Sequence, residues 1–301
     1  MLPAVKYVQE DFPWVRPSEI HADTKFVNKE GYHLSVLDFT HFSNPNFVGA
    51  LGLLARHPPA LQKIFLDVEN LEKGYAAFQL FKDGEWRAVV VDTLLCYRQR
   101  DRKHLFCHSM EMKEVWVELL QKAYAKLHGS YEKIKELSIS QILTELTGGS
   151  VEIIDFEERK LTGPALFKLV EDTLHNPANQ KKVILGCFNK VEGKNPIMKE
   201  TVESGMLQNH HYGILLAKAY KGRVPPSGQD LQLLKISNFW GICGGWSGNW
   251  CNYGEHWDRN KDISEELWPH GQDPHGGQSV FFLDSSDLRK YFTELVICRL
   301  G

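Results

Sequence analysis

The sequence has 301 residues, of which 43% are hydrophobic and 24% are charged, and its formal net charge is −3. This composition is typical of a globular protein with a sizeable core, in one large domain or two modest ones. A nucleic-acid partner would require an extended cluster of lysines and arginines, and the sequence contains no long basic run. No stretch approaches the ~18 consecutive apolar residues that cross a membrane, so we expect neither nucleic acid nor membrane as a partner.

The six cysteines are dispersed and form no C-x-x-C pair: Cys96, Cys107, Cys187, Cys243, Cys251 and Cys298. Disulfide-stapled proteins are much shorter than this chain, so we expect reduced thiols. The first residues lack the apolar core of a signal peptide, and together these features favour a cytoplasmic location.

In chain order, the prolines of residues 1–45 predict irregular structure, and the apolar run at 47–55 predicts a buried helix. Two apolar runs, 76–81 and 86–91, flank an Asp-Gly pair, which predicts a hairpin with its turn at 82–85. Apolar residues at helical spacing predict a helix over 114–127 that stops at Gly129. A second helix is predicted over 132–146, before Gly148 and Gly149.

After Gly149 the pattern changes to short strand-like runs, at 183–185, 212–216, 231–236 and 279–283, with one helix predicted over 165–174. Residues 238–257 are crowded with Gly, Asn and Trp and are predicted to form a loop. We therefore predict an α+β protein with a helix-rich lobe at residues 1–149 and a β-rich lobe, built on an antiparallel sheet, at residues 150–301.

Several motifs closely resemble those of the calpain family, in the same order from about residue 14 to the end. The most specific is L-L-Q-K-A-Y-A-K-L-H-G-S-Y-E at 119–132, preceded by E-V-W at 114–116. Weaker matches are W-V-R-P-S-E-I at 14–20, G-E-W at 84–86, H-H-Y at 210–212, N-F-W-G at 238–241, W-S-G-N-W at 246–250 and L-V-I-C at 295–298. The resemblance implies a papain-like cysteine proteinase fold with a cleft between two lobes.

In calpains, a glutamine of the oxyanion site and the nucleophilic cysteine lie in one motif at the start of a helix. The corresponding stretch here places Phe39 at the glutamine position and Pro45 at the cysteine position, or Asn46 after a shift of one residue. No cysteine occurs before Cys96. A thiol protease needs a thiolate, a histidine base and an amide that orients the base, so the resemblance predicts that the nucleophile is missing.

The resemblance assigns the other two triad positions to His210 and Asn238, and it places Trp240 in the cleft. Without a nucleophile, we interpret His210 and Asn238 as retained structure. A relocated nucleophile is the alternative, with Ser43 beside His41 as one option. Cys107 and Cys187 lie in strand-like or core-like runs, where a free cysteine is usually a small buried hydrophobe.

Calpain cores bind calcium in each lobe, and calcium takes six to eight oxygen ligands. The corresponding positions here are Gly31, Val36, Glu114, Gly245 and Asn252, of which only Glu114 carries a carboxylate. We therefore expect weak or absent calcium binding and no other cofactor. His256, His270 and His275 fit no zinc spacing, and Asp258, Asp262 and Asp273 are typical of a solvated loop.

Two functions follow from the resemblance. The first is a calpain-like pseudo-peptidase that binds or scaffolds a protein or peptide partner; such proteins occur in cytoskeletal and ciliary assemblies of protists. The second is an intracellular calpain-type cysteine endopeptidase with a relocated nucleophile. Regulation of an active relative by pairing or competition is a third reading. The sequence specifies neither the partner nor the oligomeric state.

Overall fold

A computed structural model describes residues 12–27, 37–38, 44–69, 71–109, 113–179, 182–193, 201, 203–224, 227–240, 245–252, 254–268 and 280–301. The chain forms two compact units, Met1–Gly149 and Ser150–Gly301. Each unit combines helices with antiparallel sheet, which confirms the predicted α+β class. No helix in the described ranges has both the length and the apolar character needed to cross a membrane.

The described helices of the first unit are α1 (Pro17–Ile20), α2 (Pro45–Ala55), α3 (Pro58–Gln62), α4 (Trp116–His128) and α5 (Ile139–Thr147). Its described strands are β1 (Trp14–Val15), β2 (Leu37–Asp38), β3 (Phe65–Asp67), β4 (Tyr75–Lys82), β5 (Glu85–Asp92), β6 (Leu95–Arg98), β7 (Lys103–His104) and β8 (His108–Ser109). Strands β3, β4 and β5 form a three-stranded sheet in that order.

The predicted helices at 47–55 and 114–127 are confirmed as α2 and α4. Helix α4 buries nearly all of its first ten residues and ends at Gly129, whose φ of 92° is the left-handed conformation that glycine adopts most easily. The second predicted helix is wrong in its first part, because residues 131–136 form turns and α5 begins only at Ile139. Ser138 caps α5 by accepting a hydrogen bond from the Gln141 amide at 3.3 Å, which fixes the later start.

The hairpin of β4 and β5 is confirmed. Its two turn residues, Asp83 and Gly84, have φ angles of 53° and 85°, the two positive values that a tight two-residue hairpin turn requires. The prediction that residues 1–45 are irregular is wrong for three short stretches. Strand β1 pairs with β6, β2 pairs with β8, and α1 begins at Pro17, where a proline fits the first helical turn.

The second unit is built on a six-stranded antiparallel sheet. Its described strands are β9 (Ser150–Asp155), β10 (Val183–Phe188), β11 (His211–Val224), β12 (Gln229–Ser237), β13 (Val280–Asp284) and β14 (Glu294–Arg299), in the order β13-β12-β11-β10-β14-β9. The four predicted strands correspond to β10, β11, β12 and β13. The described helices are α6 (Gly163–His175), α7 (Glu255–Arg259), α8 (Lys261–Leu267) and α9 (Ser285–Tyr291).

The predicted loop at 238–257 is wrong at its end, because α7 begins at Glu255. Short helices form here because their apolar residues pack against the sheet. Trp257 of α7 and Ile263 of α8 are buried in one cluster with Trp250 and with Phe282 of β13. Burial of these side chains against the sheet stabilises helices that are too short to be stable alone.

Candidate functional site

His210 and Asn238 lie at the same end of one strand pair in the second unit. His210 directly precedes β11 and Asn238 directly follows β12, and the antiparallel register pairs Gly213 with Ser237. Both side chains are fully buried. The sheet therefore brings together two polar residues that are 28 positions apart in the sequence.

Trp240 contacts both residues. Its ring meets the His210 ring edge to face, with centroids 4.5 Å apart and planes at 88°. Its backbone N–H donates to Asn238 Oδ1 at 2.9 Å, and its indole Nε1–H donates to the His211 carbonyl at 2.7 Å. The tryptophan thus packs against the imidazole while the backbone beside it holds the Asn238 amide oxygen.

The His210 imidazole is also held by the loop that precedes it. Its Nδ1 lies 2.5 Å from the carbonyl oxygen of Gln208. Because a carbonyl only accepts, we assign a proton to Nδ1. The backbone N–H of His210 donates to Oδ1 of the buried Asn189 at 3.0 Å. Sequence reasoning missed Asn189, since no motif marks it.

The adjacent His211 has a different character. It lies on β11, and its ring stacks on Phe188 with centroids 4.4 Å apart. Burial, assisted by the nearby His210, lowers the pKa of His211 to about 3. His211 is therefore neutral at physiological pH and belongs to the core of the sheet.

Pro45 and Asn46, the two alternatives for the nucleophile position, are the first residues of α2 in the first unit. The residue before them, Asn44, is buried and caps the helix, because its Oδ1 accepts from the Asn46 N–H at 2.8 Å. The Asn44 amide donates to the carbonyls of Ile134 and Leu137, both at 2.9 Å, and Asn46 Nδ2 donates to Leu137 at 3.1 Å. The start of α2 is thus fastened to the segment before α5 by side-chain amides.

Four other predicted positions lie outside the described residues: Phe39, Ser43, Gly31 and Val36. The same holds for His41, His270, His275 and Asp273. His256 lies in α7, where its ring is 5.3 Å from that of Trp250. The described residues contain no group of three His, Cys, Asp or Glu side chains arranged to hold a metal ion.

The described cysteines are all free thiols. Burial raises the pKa of Cys96 to about 12 and that of Cys187 well above its usual value. Cys107 is fully buried, and its thiol donates to Gln121 Oε1 at 3.0 Å. Cys251 is half-buried, directly after Trp250. Cys96 and Cys187 are therefore protonated thiols at neutral pH, whereas attack on a carbonyl requires a thiolate.

Three of the predicted calcium positions, Glu114, Gly245 and Asn252, lie among the described residues, and weak or absent calcium binding stays a prediction. In the first unit, Glu114 Oε1 already accepts hydrogen bonds from Ser109 Oγ at 2.6 Å and from Trp116 Nε1 at 3.1 Å. In the second unit, Gly245 has no side chain. Asn252 donates through Nδ2 to the Val280 carbonyl at 3.0 Å, which leaves its Oδ1 as one neutral oxygen.

The family model and the curated relatives that match this chain are both of the calpain family. A family model described as calpain family cysteine protease matches residues 3–299. Calpain-1 catalytic subunit of Gallus gallus is 30% identical over 293 residues, which cover 95% of this chain and 38% of that protein. Calpain-2 catalytic subunit of Homo sapiens is 28% identical, with 95% and 38% covered, and Calpain-B of Drosophila melanogaster is 26% identical, with 96% and 30% covered.

A solved structure of the SERA5 proenzyme from Plasmodium falciparum is also similar, at a TM-score of 0.33 and 12% identity, and it covers 100% of this chain and 70% of that one. A likeness this weak carries no argument. The chain spans 38% or less of the length of the curated relatives cited above. Because the family model matches nearly all of its residues, the chain belongs to the calpain family of cysteine proteases and has the papain-like α+β fold of their protease core.

Proposed function

We propose that this chain is a calpain-like pseudo-peptidase, a non-catalytic module that binds or scaffolds a protein or peptide. The observation that supports this most is the chemistry at the start of α2, where the resemblance assigns the nucleophile position to Pro45 or, after a shift of one residue, to Asn46. A pyrrolidine ring cannot attack a carbonyl, and a carboxamide is a very poor nucleophile. Asn46 is also engaged in holding Leu137, at 3.1 Å.

The helix start has a structural function that does not depend on catalysis. Asn44 and Asn46 together make three side-chain hydrogen bonds to the carbonyls of Ile134 and Leu137. Proline is favoured at the first position of a helix, because its missing N–H would have no helical partner there. These residues stabilise the α2 scaffold in the absence of a thiol.

Two of the described thiols, Cys96 and Cys187, give little support to a relocated nucleophile. The raised pKa values of Cys96 and Cys187 keep both protonated near neutral pH. In the second unit, the proton that we assign to His210 Nδ1 is directed at the Gln208 carbonyl, 2.5 Å away. An imidazole in this arrangement is well suited to holding the loop in place, as a structural residue.

A second candidate is an active calpain-type cysteine endopeptidase with a relocated nucleophile. Family membership and the packed arrangement of His210, Asn238 and Trp240 favour it, since a protease would need these residues in an ordered site. Cys251 is the most accessible of the described cysteines and is the first residue to test. For either candidate we propose a cytoplasmic location, with a cytoskeletal or ciliary assembly as the setting of the binding module.

The two candidates are separated by a thiol-reactive activity probe and by turnover of a denatured protein substrate, with and without calcium. The samples are the wild-type chain, His210→Ala and Cys251→Ser, and an active calpain catalytic subunit is the positive control. The pseudo-peptidase predicts no turnover, and slow probe labelling that is the same in wild type and His210→Ala. Substrate turnover that is lost in His210→Ala would overturn the proposal.

Intact-mass analysis makes the probe experiment specific. Labelling of the native chain is expected at the more exposed thiols, while Cys96 and Cys187 react only after unfolding, because both are buried. If one cysteine is labelled faster than free cysteine, and His210→Ala removes that excess rate, the chain contains an activated nucleophile and the enzyme reading is correct.

A further inference from the structure

Strand β5 forms one edge of the three-stranded sheet in the first unit. The strand order is β3-β4-β5, and in the part of the chain that the structure describes no strand pairs with the outer edge of β5. The strand is eight residues long, which is a substantial length for an open edge. Such an edge presents unpaired N–H and C=O groups that can pair with another strand.

The register of the hairpin identifies the groups that point outward. The two-residue turn makes Lys82 and Glu85 a pair that exchanges both backbone hydrogen bonds. Alternate residues of β5, beginning with Glu85, therefore bond to β4. The N–H and C=O groups of Trp86, Ala88 and Val90 point away from the sheet.

The side chains of these three residues form an apolar stripe along the open edge. Trp86 is 45% exposed and Val90 is 46% exposed, and Ala88 between them is also exposed. On the opposite face, Val89 and Val91 are buried, which holds the strand in place before any partner arrives. An exposed apolar stripe beside unpaired backbone groups is a typical site for strand addition.

We propose that this edge pairs antiparallel with the same edge of a second copy of the chain, about a two-fold axis at Ala88. In that register Ala88 lies opposite Ala88 of the second copy, and Trp86 lies opposite Val90 of the second copy. Each of these pairs exchanges both of its backbone hydrogen bonds. Aromatic and β-branched residues that face each other across strands stabilise the pairing.

The charge pattern of β5 favours a second copy as the occupant. In the same register Glu85 lies opposite Val91 of the second copy, and Arg87 lies opposite Val89, so no like charges face each other. The Arg87 guanidinium is already paired with Asp83 at 3.1 Å within its own hairpin. The strand is therefore complementary to itself, as an interface with two-fold symmetry requires.

Two lysines of α4 bond to β5: Lys126 Nζ donates to the Val90 carbonyl at 2.6 Å, and Lys122 Nζ donates to Asp92 Oδ1 at 2.6 Å. A carbonyl oxygen has two lone pairs, so Val90 can accept from Lys126 and from the second copy together. An interface of one strand from each copy is small, well below the ~1,200 Å² of stable complexes. We therefore expect a weak dimer, with a Kd between about 100 µM and about 1 mM.

The test is sedimentation velocity of the 301-residue chain from about 10 µM to about 1 mM. Wild type is expected to shift from monomer to dimer across this range. Ala88→Lys and Ala88→Glu each place like charges on the two-fold axis and should weaken the dimer about tenfold or more. An equimolar mixture of the two variants should restore it. Ala165→Lys, at an exposed position of α6, is the matched control and should leave it unchanged.

The mixing experiment tests the register as well as the surface, because only the proposed register places residue 88 against itself. A chain that stays monomeric throughout overturns the proposal, as does a dimer that Ala88→Lys leaves intact. Hydrogen exchange of the Trp86, Ala88 and Val90 amides is an independent measurement, and their protection is expected to rise with protein concentration. Protection in the dilute monomer would mean that another segment of the same chain covers the edge, which also overturns the proposal. The inference does not depend on the proposed function.

Discussion

Asn44 is expected to stabilise the first unit through both ends of its side-chain amide. The oxygen caps α2 by accepting from Asn46 N–H, and the nitrogen donates to the carbonyls of Ile134 and Leu137. Asparagine and aspartate are about equally good helix caps. Aspartate, however, cannot donate to the two carbonyls and places a negative charge beside them. The substitution Asn44→Asp therefore separates the two functions of the side chain.

The magnitudes follow from the hydrogen bonds. Loss of the cap costs about 1 kcal/mol, and loss of each donated bond costs about 1 kcal/mol more. Asn44→Ala is therefore expected to lower the free energy of unfolding by about 3 kcal/mol. Asn44→Ser retains a cap and should cost about 2 kcal/mol. Asn44→Asp should cost at least about 2 kcal/mol, although it also retains a cap.

The assay is urea unfolding followed by fluorescence and circular dichroism, with hydrogen exchange of residues 44–55 and 134–147 to locate the loss. Ser138→Ala calibrates the cap alone, since Ser138 caps α5 and accepts only from Gln141 at that site. It should cost about 1 kcal/mol. If Asn44→Asp is as stable as wild type, the donated hydrogen bonds contribute nothing and the reasoning about the start of α2 is wrong.

Two further predictions concern one residue each, Gly148 in the first unit and Asp287 in the second. Gly148 has a φ of +67°, and a Cβ there would lie 2.7 Å from Trp86 Cζ2. Gly148→Ala should therefore lower the free energy of unfolding in urea by about 2 kcal/mol. When Gly148→Ala is added to Trp86→Ala, it should cost only about 1 kcal/mol relative to Trp86→Ala alone, because the backbone strain remains and the clash with the ring is gone. Burial, with the Asp284 carboxylate nearby, raises the pKa of Asp287 from 3.8 to about 6. A carboxyl with a raised folded pKa destabilises the protein above that pKa, and the cost disappears as the pH falls from about 6 towards 4. Asp287→Asn should therefore stabilise the chain at pH 7.5 by about 1 kcal/mol, the full shift being reduced because the group is half-exposed, and should change little at pH 4; equal effects at both pH values would refute this.

Much of the fold is local in origin and was predictable. The Asp83-Gly84 pair specifies the two-residue turn of the hairpin, because these residue types adopt positive φ most easily. Gly129 ends α4 for the same reason. The helix at 47–55 and the strands of the second unit follow from continuous apolar runs, since an element that is buried on all sides is apolar along most of its length.

The candidate site was predictable only in part. The motifs led to His210, Asn238 and Trp240, which the end of the β11–β12 pair brings together. Nothing in the sequence marks Asn189, which precedes His210 by 21 residues and holds its backbone. Asn44 likewise bonds to Ile134 across 90 residues.

The amino-acid sequence by itself determined the family, the hairpin turn at Asp83-Gly84, the end of α4 at Gly129 and the chemistry available at each motif. These features depend on residue type and on near neighbours. Only the tertiary structure decided where α5 begins, that β1 pairs with β6, and which amides hold the start of α2. Those features rest on hydrogen bonds and packing between residues that are distant in the chain. A buried carbonyl accepts a hydrogen bond from a donor that the fold places near it, and that donor cannot be identified from local sequence preference.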